Sequence, residues 1–380
     1  MDALPHDGAS TPLSGMPSAP VHGYRNYWYP LVESNRVGPQ PVPLRILGED
    51  LVLFRTRDRV AALVDRCAHR GSRLSQGRVL FPDTLSCPYH GWTYNADGEC
   101  VAAIVEGPDS QVPGKVRVRS YATEERRGVV WGFIGDGESP PLDEDLPPPL
   151  RDPDALPQFL FEEWRCNWRL VTENYPDMLH AIFVHRTSVE MVLQKMPAWG
   201  TMSVEPLPDG KGLAVRGGGG GVQADYPGLG PFPRRMGFRL FSRRDTRGVP
   251  AEARMPGYIV LPRRRDPIWG HDVAAVQWPV PVDEHTTRIF ECAITHPSNP
   301  LQHLAFLAWW NAYYRHVHLH LFTHQDRRIM EHQSYRDPER LSVSDVGLIQ
   351  WRMFAAQAAR RPLGLDPAPQ LSPSRGGSNF

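Results

Sequence analysis

"CAHRGSRLSQGRVLFPDTLSCPYHGW", residues 67–92, carries the reading on which the rest of the chain turns. It opens with Cys67-x-His69, nearly closes with Cys87-x-x-His90, and leaves 17 residues between His69 and Cys87. Two thiols and two imidazoles at mirrored spacing, each pair beside turn-forming residues, describe one metal centre gripped by two loops. A Cys₂His₂ set also suits tetrahedral zinc. Zinc fingers, however, pair Cys with Cys and His with His, whereas here each loop supplies one thiolate and one imidazole. That division suits a [2Fe–2S] cluster with unlike irons, one bound by both thiolates and the other by both imidazoles. Neutral imidazoles in place of two thiolates leave less negative charge on such a cluster and raise its potential. It then serves as a one-electron relay.

Around this stretch the chain reads as short β-runs: "PVPLRIL", "DLVLFR", "RVAALVD", "DTLSC" and "GWTYNADGEC". Turn pairs such as Gly48-Glu49 and Asp58-Arg59 separate them, and Asp97-Gly98 is a hairpin signal. Residues 24–135 are therefore expected to form an all-β domain, preceded by a flexible tail over 1–23. "GDGESPPLDEDLPPPLRDPDALP" is acidic and Pro-dense, which predicts an extended connector over 136–157 rather than a core element. The remainder, 158–361, mixes strand-like runs ("GYIVLP", "TRIFECAITH") with helix-like ones ("PLQHLAFLAWWNAYYRHVHLHLFTHQDRRIMEHQ"), as in an α+β domain of antiparallel sheet and helices. A second flexible tail is expected over 362–380. Gly217–Gly221 match neither Gly-x-Gly-x-x-Gly nor a P-loop and are expected to form a flexible loop.

The chain has 380 residues, 41% hydrophobic and 22% charged, with Lys+Arg and Asp+Glu both at 42. A balanced charge argues against a general nucleic-acid binder. No apolar run reaches the length of a membrane span. Five cysteines are too few, and odd in number, for a disulfide framework, so a reducing cytoplasm is the expected setting. Cys100, Cys166 and Cys292 have no partner at ligand spacing and are read as buried thiols.

A second constellation lies in "TENYPDMLHAIFVH", with Asp177, His180 and His185. Two imidazoles and a carboxylate on one face of an iron leave positions open for O₂. In a regular helix five residues rotate by roughly 140°. The two rings converge only if the helix is distorted or ends there. Farther on, "FTHQDRRIMEHQ" offers Asp326 and Glu331 as carboxylates. His316, His320 and His324, at i, i+4 and i+8, are read as packing or pocket-lining residues.

"CAHRG" and "CPYHGWTYNADG" together resemble the Rieske oxygenase family, and Glu173-Asn174-x-x-Asp177-x-x-His180-x₄-His185 is similar to that family's mononuclear-iron motif. Rieske subunits of respiratory complexes share the Cys-His pairs but carry extra loop cysteines; here Ala68 and Tyr89 stand between ligands and no spare loop cysteine is present. The C-terminal "SVSDVGLIQWRMF" is loosely similar to single-subunit members such as pheophorbide a oxygenase and various demethylases. The resemblance covers about residues 24–361. It implies an N-terminal Rieske domain and a helix-grip catalytic domain. Cys67 and Cys87 would bind the buried iron of the cluster, and His69 and His90 the exposed one. His180 and His185 would ligate a mononuclear Fe(II), with Asp326 as third ligand in preference to Glu331. Asp177 would be a bridge, hydrogen-bonding His180 and His90 of a neighbouring subunit in a head-to-tail homotrimer. Electrons would come from a ferredoxin or an NAD(P)H-dependent reductase. The implied activity is oxidation of a largely apolar organic substrate by monooxygenation or demethylation, with cis-dihydroxylation or oxidative cyclisation as alternatives. A cluster-bearing electron carrier and a zinc-stabilised binding module are rival readings, and both leave "ENYPDMLHAIFVH" unexplained.

Overall fold

The structure is a computed structural model that describes residues 17–186, 188, 199–220, 250–265 and 272–360. Its first half is built from short antiparallel strands. β1 (Tyr27–Glu33), β10 (Val129–Ile134) and β9 (Thr123–Arg126) form one sheet; β2 (Val42–Ile46), β3 (Glu49–Arg55), β4 (Val60–Val64) and β8 (Ser120–Tyr121) form a second; β5 (Thr84–Ser86), β6 (Trp92–Asn95) and β7 (Cys100–Ala103) form a third. Leu51–Phe54 of β3 are buried on both faces, so the second sheet is covered on each side. The β6–β7 hairpin turns through Asp97-Gly98, where Gly98 takes a φ of 78°. A Cβ there would stand 2.1 Å from the Val118 carbonyl oxygen, which only glycine avoids.

The second half is a seven-stranded antiparallel sheet in the order β11 (Leu156–Trp164), β17 (Thr287–Thr295), β16 (Asp272–Pro281), β15 (Tyr258–Arg265), β14 (Ala251–Arg254), β13 (Gly212–Gly220) and β12 (Trp199–Pro206). Helices are α1 (Pro148–Arg151), α2 (Trp168–Asn174), α3 (His180–Val184), α4 (Pro300–Trp309), α5 (His324–Met330) and α6 (Val346–Ala358). Between α4 and α5 the chain stays helical but widens to π winding over Trp310–Thr323. Phe306, Trp309, Trp310 and Tyr314 from this run pack against Ala293 and Leu160, so it lies across the β11–β17 edge of the sheet. The result is an all-β half followed by an α+β half, as the sequence predicts.

The two halves share one core. Trp131 of β10 packs against Trp278 of β16 and Phe290 of β17, with ring centroids 5.9 and 6.0 Å apart, and Trp278 also meets Tyr29 of β1 and Tyr258. The stretch 136–157 differs from the extended connector expected of it. Leu142, Leu146 and Leu150 recur every fourth residue and are all buried in that core, with α1 formed over the last. Its prolines set helix starts rather than a solvated spacer. The expected tail over 1–23 is likewise anchored where it is described: the Pro20 carbonyl accepts from Trp168 Nε1 at 3.0 Å and the Val21 carbonyl from Asn167 Nδ2 at 3.1 Å.

The glycine run is also corrected. Gly217–Gly220 continue β13, paired with Met202–Trp199 of β12, while Gly221 lies outside the described residues. Cross-strand hydrogen bonds hold a strand without side chains, and a bare strand allows close approach from one face. Gly200 on β12 shows that approach: a Cβ there would meet Leu179 Cδ2 at 2.4 Å and Ile182 Cδ1 at 2.8 Å. α3 therefore rests directly on the strand.

Because Trp131 lies fully buried between the halves, Trp131→Ala is expected to lower the unfolding free energy by about 3–5 kcal/mol. Denaturant titration followed by circular dichroism and by tryptophan fluorescence should give coincident transitions for the wild-type chain, as one shared core requires. Two well-separated steps would contradict it.

Candidate metal centres

The Cys-His pairs sit on two loops of the same construction. In the first, Cys67 N–H donates to the Ser72 carbonyl at 2.8 Å and the Cys67 carbonyl accepts from Gly71 N–H at 2.9 Å. In the second, Cys87 N–H donates to the Trp92 carbonyl at 2.8 Å and the Cys87 carbonyl accepts from Gly91 N–H at 3.1 Å. Gly71 and Gly91 close the loops with φ of 73° and 66°, a turn that glycine makes without strain. Both thiols are buried, and the two His rings lie edge to face with centroids 4.6 Å apart, nearer the surface. Trp92 stacks on His69 at 4.7 Å and Tyr89 tilts against His90 at 3.9 Å. The Tyr94 hydroxyl lies 3.2 Å from Cys67 Sγ and also takes the Ala68 N–H. Burial pushes the Cys67 thiol above its ordinary range, and Cys87 adds to that; the Tyr94 hydroxyl and the His69 backbone pull the other way. Two buried thiols side by side, with two imidazoles nearer the surface on the same loops, fit a group that binds both sulfurs as thiolates.

The second site begins where α2 ends. Asn167 caps α2 by accepting from Arg169 N–H at 3.1 Å. After Asn174 the chain passes Pro176, and the Asp177 carboxylate then accepts from the N–H groups of Leu179 at 3.1 Å and His180 at 3.4 Å. That starts α3 with His180 as its first residue, and α3 stops at its C-cap, His185. The expected helical run is thus broken, and the histidines occupy opposite ends of one short helix. Their rings converge, with centroids 5.3 Å apart.

Asp326 of α5 meets both. His180 Nε2 lies 3.5 Å from Asp326 Oδ1 and His185 Nε2 lies 3.3 Å from Oδ2. One ligand atom from each of the three residues falls within 4.8 Å of the others. The far ring nitrogens are held by acceptors: His185 Nδ1 donates to Gln325 Oε1 at 3.0 Å, and His180 Nδ1 contacts the Asp177 carbonyl. With Nδ1 carrying the proton, each Nε2 presents a lone pair to the Asp326 carboxylate. Two lone pairs and a carboxylate facing one another fit a divalent cation between them. Asn174 Nδ2 lies 3.3 Å from His180 Nε2.

The remaining candidates fall elsewhere. Glu331 accepts from Arg165 N–H at 3.0 Å and Arg327 Nε at 2.9 Å, away from the His pair. Asp177 lies beside His180, but its carboxylate binds backbone N–H groups; the ring meets its carbonyl instead. His324 bonds Glu162 at 2.9 Å and lies 3.0 Å from His320, while His316 is exposed. Sequence reading missed His318. It stands in a file of stacked rings, Trp310, Tyr314, His318 and Phe322, that ends with Phe322 on the His185 ring at 3.8 Å. It also missed Glu291, buried on β17, which accepts from the Tyr314 hydroxyl at 2.7 Å. Glu291 shares its face of β17 with Ile289 and Ala293, opposite Phe290 and Cys292, and since both faces are buried, strand alternation alone does not mark it.

Comparison with known proteins places both halves of the chain in one family. The family model for the Rieske [2Fe-2S] domain matches residues 27–121, and that for the vanillate O-demethylase oxygenase C-terminal domain matches residues 164–361. The chain belongs to the Rieske non-haem iron oxygenases. The terminal oxygenase component CarAa of carbazole 1,9a-dioxygenase from Sphingomonas sp is 37% identical over 169 residues, 44% of each chain. The chain thus spans less than half the length of that relative in the matched region. Methylxanthine N3-demethylase NdmB of Pseudomonas putida is 28% identical over 302 residues, 74% of this chain and 76% of its own. Among solved structures, the terminal oxygenase of carbazole 1,9a-dioxygenase from Nocardioides aromaticivorans superposes with a TM-score of 0.75 at 26% identity, covering 90% of this chain and 96% of that one. The oxygenase family's [2Fe–2S] cluster and mononuclear iron therefore belong to this chain as well. No helix among the described residues is long and apolar enough to cross a membrane.

Burial is the main cause that raises the Glu291 carboxyl above its ordinary range, against the Tyr314 bond and nearby His318. The folded state therefore holds that proton more tightly than the unfolded chain. Its stabilising contribution is full below the unfolded carboxyl value of about 4.3 and is lost as pH rises through the folded value. Glu291→Gln is expected to remove this loss. In thermal unfolding across a pH series, the variant's midpoint should rise relative to wild type between pH 4 and neutrality.

Proposed function

We propose that the chain is a terminal oxygenase that uses O₂ and externally supplied electrons to oxidise a small organic substrate. Cys67, Cys87, His69 and His90 hold the cluster, and His180, His185 and Asp326 hold the mononuclear iron. The observation that carries this is the convergence of His180, His185 and Asp326 from two separated helices, in a chain that also carries the paired Cys-His loops. A plain electron carrier has no use for the second site, and a zinc module has no use for both. When bound, the cluster supplies single electrons and the iron supplies the reductive activation of O₂.

The protein's own residues set the conditions for that chemistry. Gln325 and the Asp177 carbonyl fix the tautomers of His185 and His180. Phe322 covers the His185 ring and keeps water from that side of it. Asp177 Oδ1 is committed to helix α3, and the second carboxylate oxygen is left to accept from His90 of a neighbouring subunit. In that reading Asp177 couples the two centres across a head-to-tail homotrimer. A ferredoxin or NAD(P)H-dependent reductase is the electron source; carbazole 1,9a-dioxygenase oxygenase is known in complex with a ferredoxin. The five free cysteines accord with a reducing cytoplasm. Residues 24–135 act as the cluster domain and 158–361 as the catalytic one. Oxidative demethylation is favoured as the reaction, because the C-terminal family model is that of a demethylase and NdmB matches over most of both chains.

Protein purified without air should contain about three irons and two acid-labile sulfides per chain, and Asp326→Ala should lose about one iron while keeping both sulfides. Zinc with no sulfide would end this reading. Formaldehyde release from N- or O-methylated aromatics, with a surrogate reductase and labelled O₂, tests the reaction itself.

Asp177→Asn retains an acceptor oxygen for α3 but weakens a bond to a protonated imidazole. It should keep both metal centres and lower turnover more than tenfold. Single-turnover reoxidation of the reduced cluster, followed by its visible absorption, should slow in parallel. Normal reoxidation would remove Asp177 from the coupling role.

A further inference from the structure

The last helix of the described chain, α6, lies against the end of α2 and the turn that leads to His180, and two unrelated contacts fix it there. Toward its C-terminal half, Arg352 turns inward. Its Nε donates to Glu173 Oε1 at 2.9 Å and its Nη2 to Glu173 Oε2 at 2.5 Å. The same guanidinium donates to both oxygens of Glu339, at 2.6 and 3.0 Å. Arg352 and Glu173 are 8% and 6% exposed, so the grip on the last turn of α2 is nearly dry. At the other end of α6, Gly347 faces Pro176. A Cβ on residue 347 would stand 2.1 Å from the Pro176 carbonyl oxygen and 2.9 Å from Met202 Cε. The helix reaches the loop at backbone distance because that position bears no side chain. Between the two contacts Trp351 is fully buried.

Each anchor point is next in sequence to a group that touches the His180 ring. Glu173 precedes Asn174, whose Nδ2 lies 3.3 Å from His180 Nε2. Pro176 precedes Asp177, whose carbonyl meets His180 Nδ1. A buried ion pair adds little net stability over apolar packing of the same volume. A two-point guanidinium–carboxylate fork does fix angle as well as distance. The placement of this fork is therefore better explained by direction than by strength.

We infer that α6 is a strut for the mononuclear site, with Arg352 and Gly347 as positioning residues that set where Asn174 stands beside the ligand nitrogen of His180 and how Asp177 holds the ring. This rests on the reading of His180, His185 and Asp326 as a divalent-metal site. It adds that the geometry of that site is governed by a helix some 160 residues downstream that contributes no ligand.

The test is anaerobic titration of the full, cluster-loaded chain, stripped of mononuclear iron, with Co(II), followed by ligand-field absorption. Wild type should take one Co(II) that Asp326→Ala abolishes. Arg352→Lys keeps the charge and loses the fork; it and Arg352→Gln should weaken Co(II) binding about tenfold to a hundredfold. Both should shift the ligand-field bands while the cluster's visible and electron paramagnetic resonance spectra stay unchanged. Gly347→Ala should act in the same direction from the opposite end, and it carries the test if the Arg352 variants fail to fold. Glu339→Gln touches Arg352 on the solvent side and should leave Co(II) affinity within about twofold. Folded Arg352 and Gly347 variants with wild-type affinity and bands would overturn the inference. So would Glu339→Gln weakening binding as much as Arg352→Gln, since that marks general packing. A wild-type chain that takes no Co(II), or whose binding survives Asp326→Ala, would instead overturn the site reading beneath it.

Discussion

Pro176 has no N–H to continue α2, and its ring would crowd the carbonyl four residues back. The Asp177 carboxylate then offers its oxygen to the next free N–H groups, as an N-terminal cap does, and a new helix starts at His180. From this interruption the rest of the site takes its form. Had α2 run on, His180 and His185 would point away from each other. With the break, they stand at the two ends of a five-residue helix and close on Asp326. The same break leaves the Asp177 and Pro176 carbonyls outside both helices. The first becomes the acceptor for His180, and the second becomes the surface on which Gly347 packs.

The two Cys-His loops were the most legible part of the chain, because their construction is local. Cys67, His69, Cys87 and His90 sit within two turns whose closure depends on nearby glycines, and spacing alone describes such turns. The His pair was half legible. Its residue types were plain, but whether the rings converge depended on a helix break that Pro176 and Asp177 signal only in combination. Asp326 lies far along the chain and was reachable through resemblance rather than pattern. Gln325, Arg352 and Glu291 act through contacts across 140, 179 and 23 residues, respectively, and such contacts leave no local mark in sequence.

The misread segments share a physical cause. In each, topology decides burial and composition does not. The Pro-rich stretch before β11 carries three leucines at a spacing of four, and that pattern outweighs its acidity once a core is within reach. Gly217–Gly220 lack side chains to favour a strand, yet β12 lies alongside and supplies the hydrogen bonds. The π winding over Trp310–Thr323 sets Tyr314, His318 and Phe322 in one file against His185. Wide helical segments of this kind are frequent at functional sites. This one carries a run that resembles ordinary core packing up to the His185 ring.

The aromatic seam between the halves has a consequence for how such chains can be recombined. Residues 136–157 look like the natural place to splice a cluster domain from one oxygenase onto the catalytic half of another. A cut there would sever Leu142, Leu146 and Leu150 from their packing partners. It would also set a foreign surface against Trp278 and Phe290, where Trp131 now fits. Exchange of electron-entry modules within this architecture is governed by the match of β10 to β16 and β17, and a workable graft carries Trp131, Trp278 and Phe290 as a set.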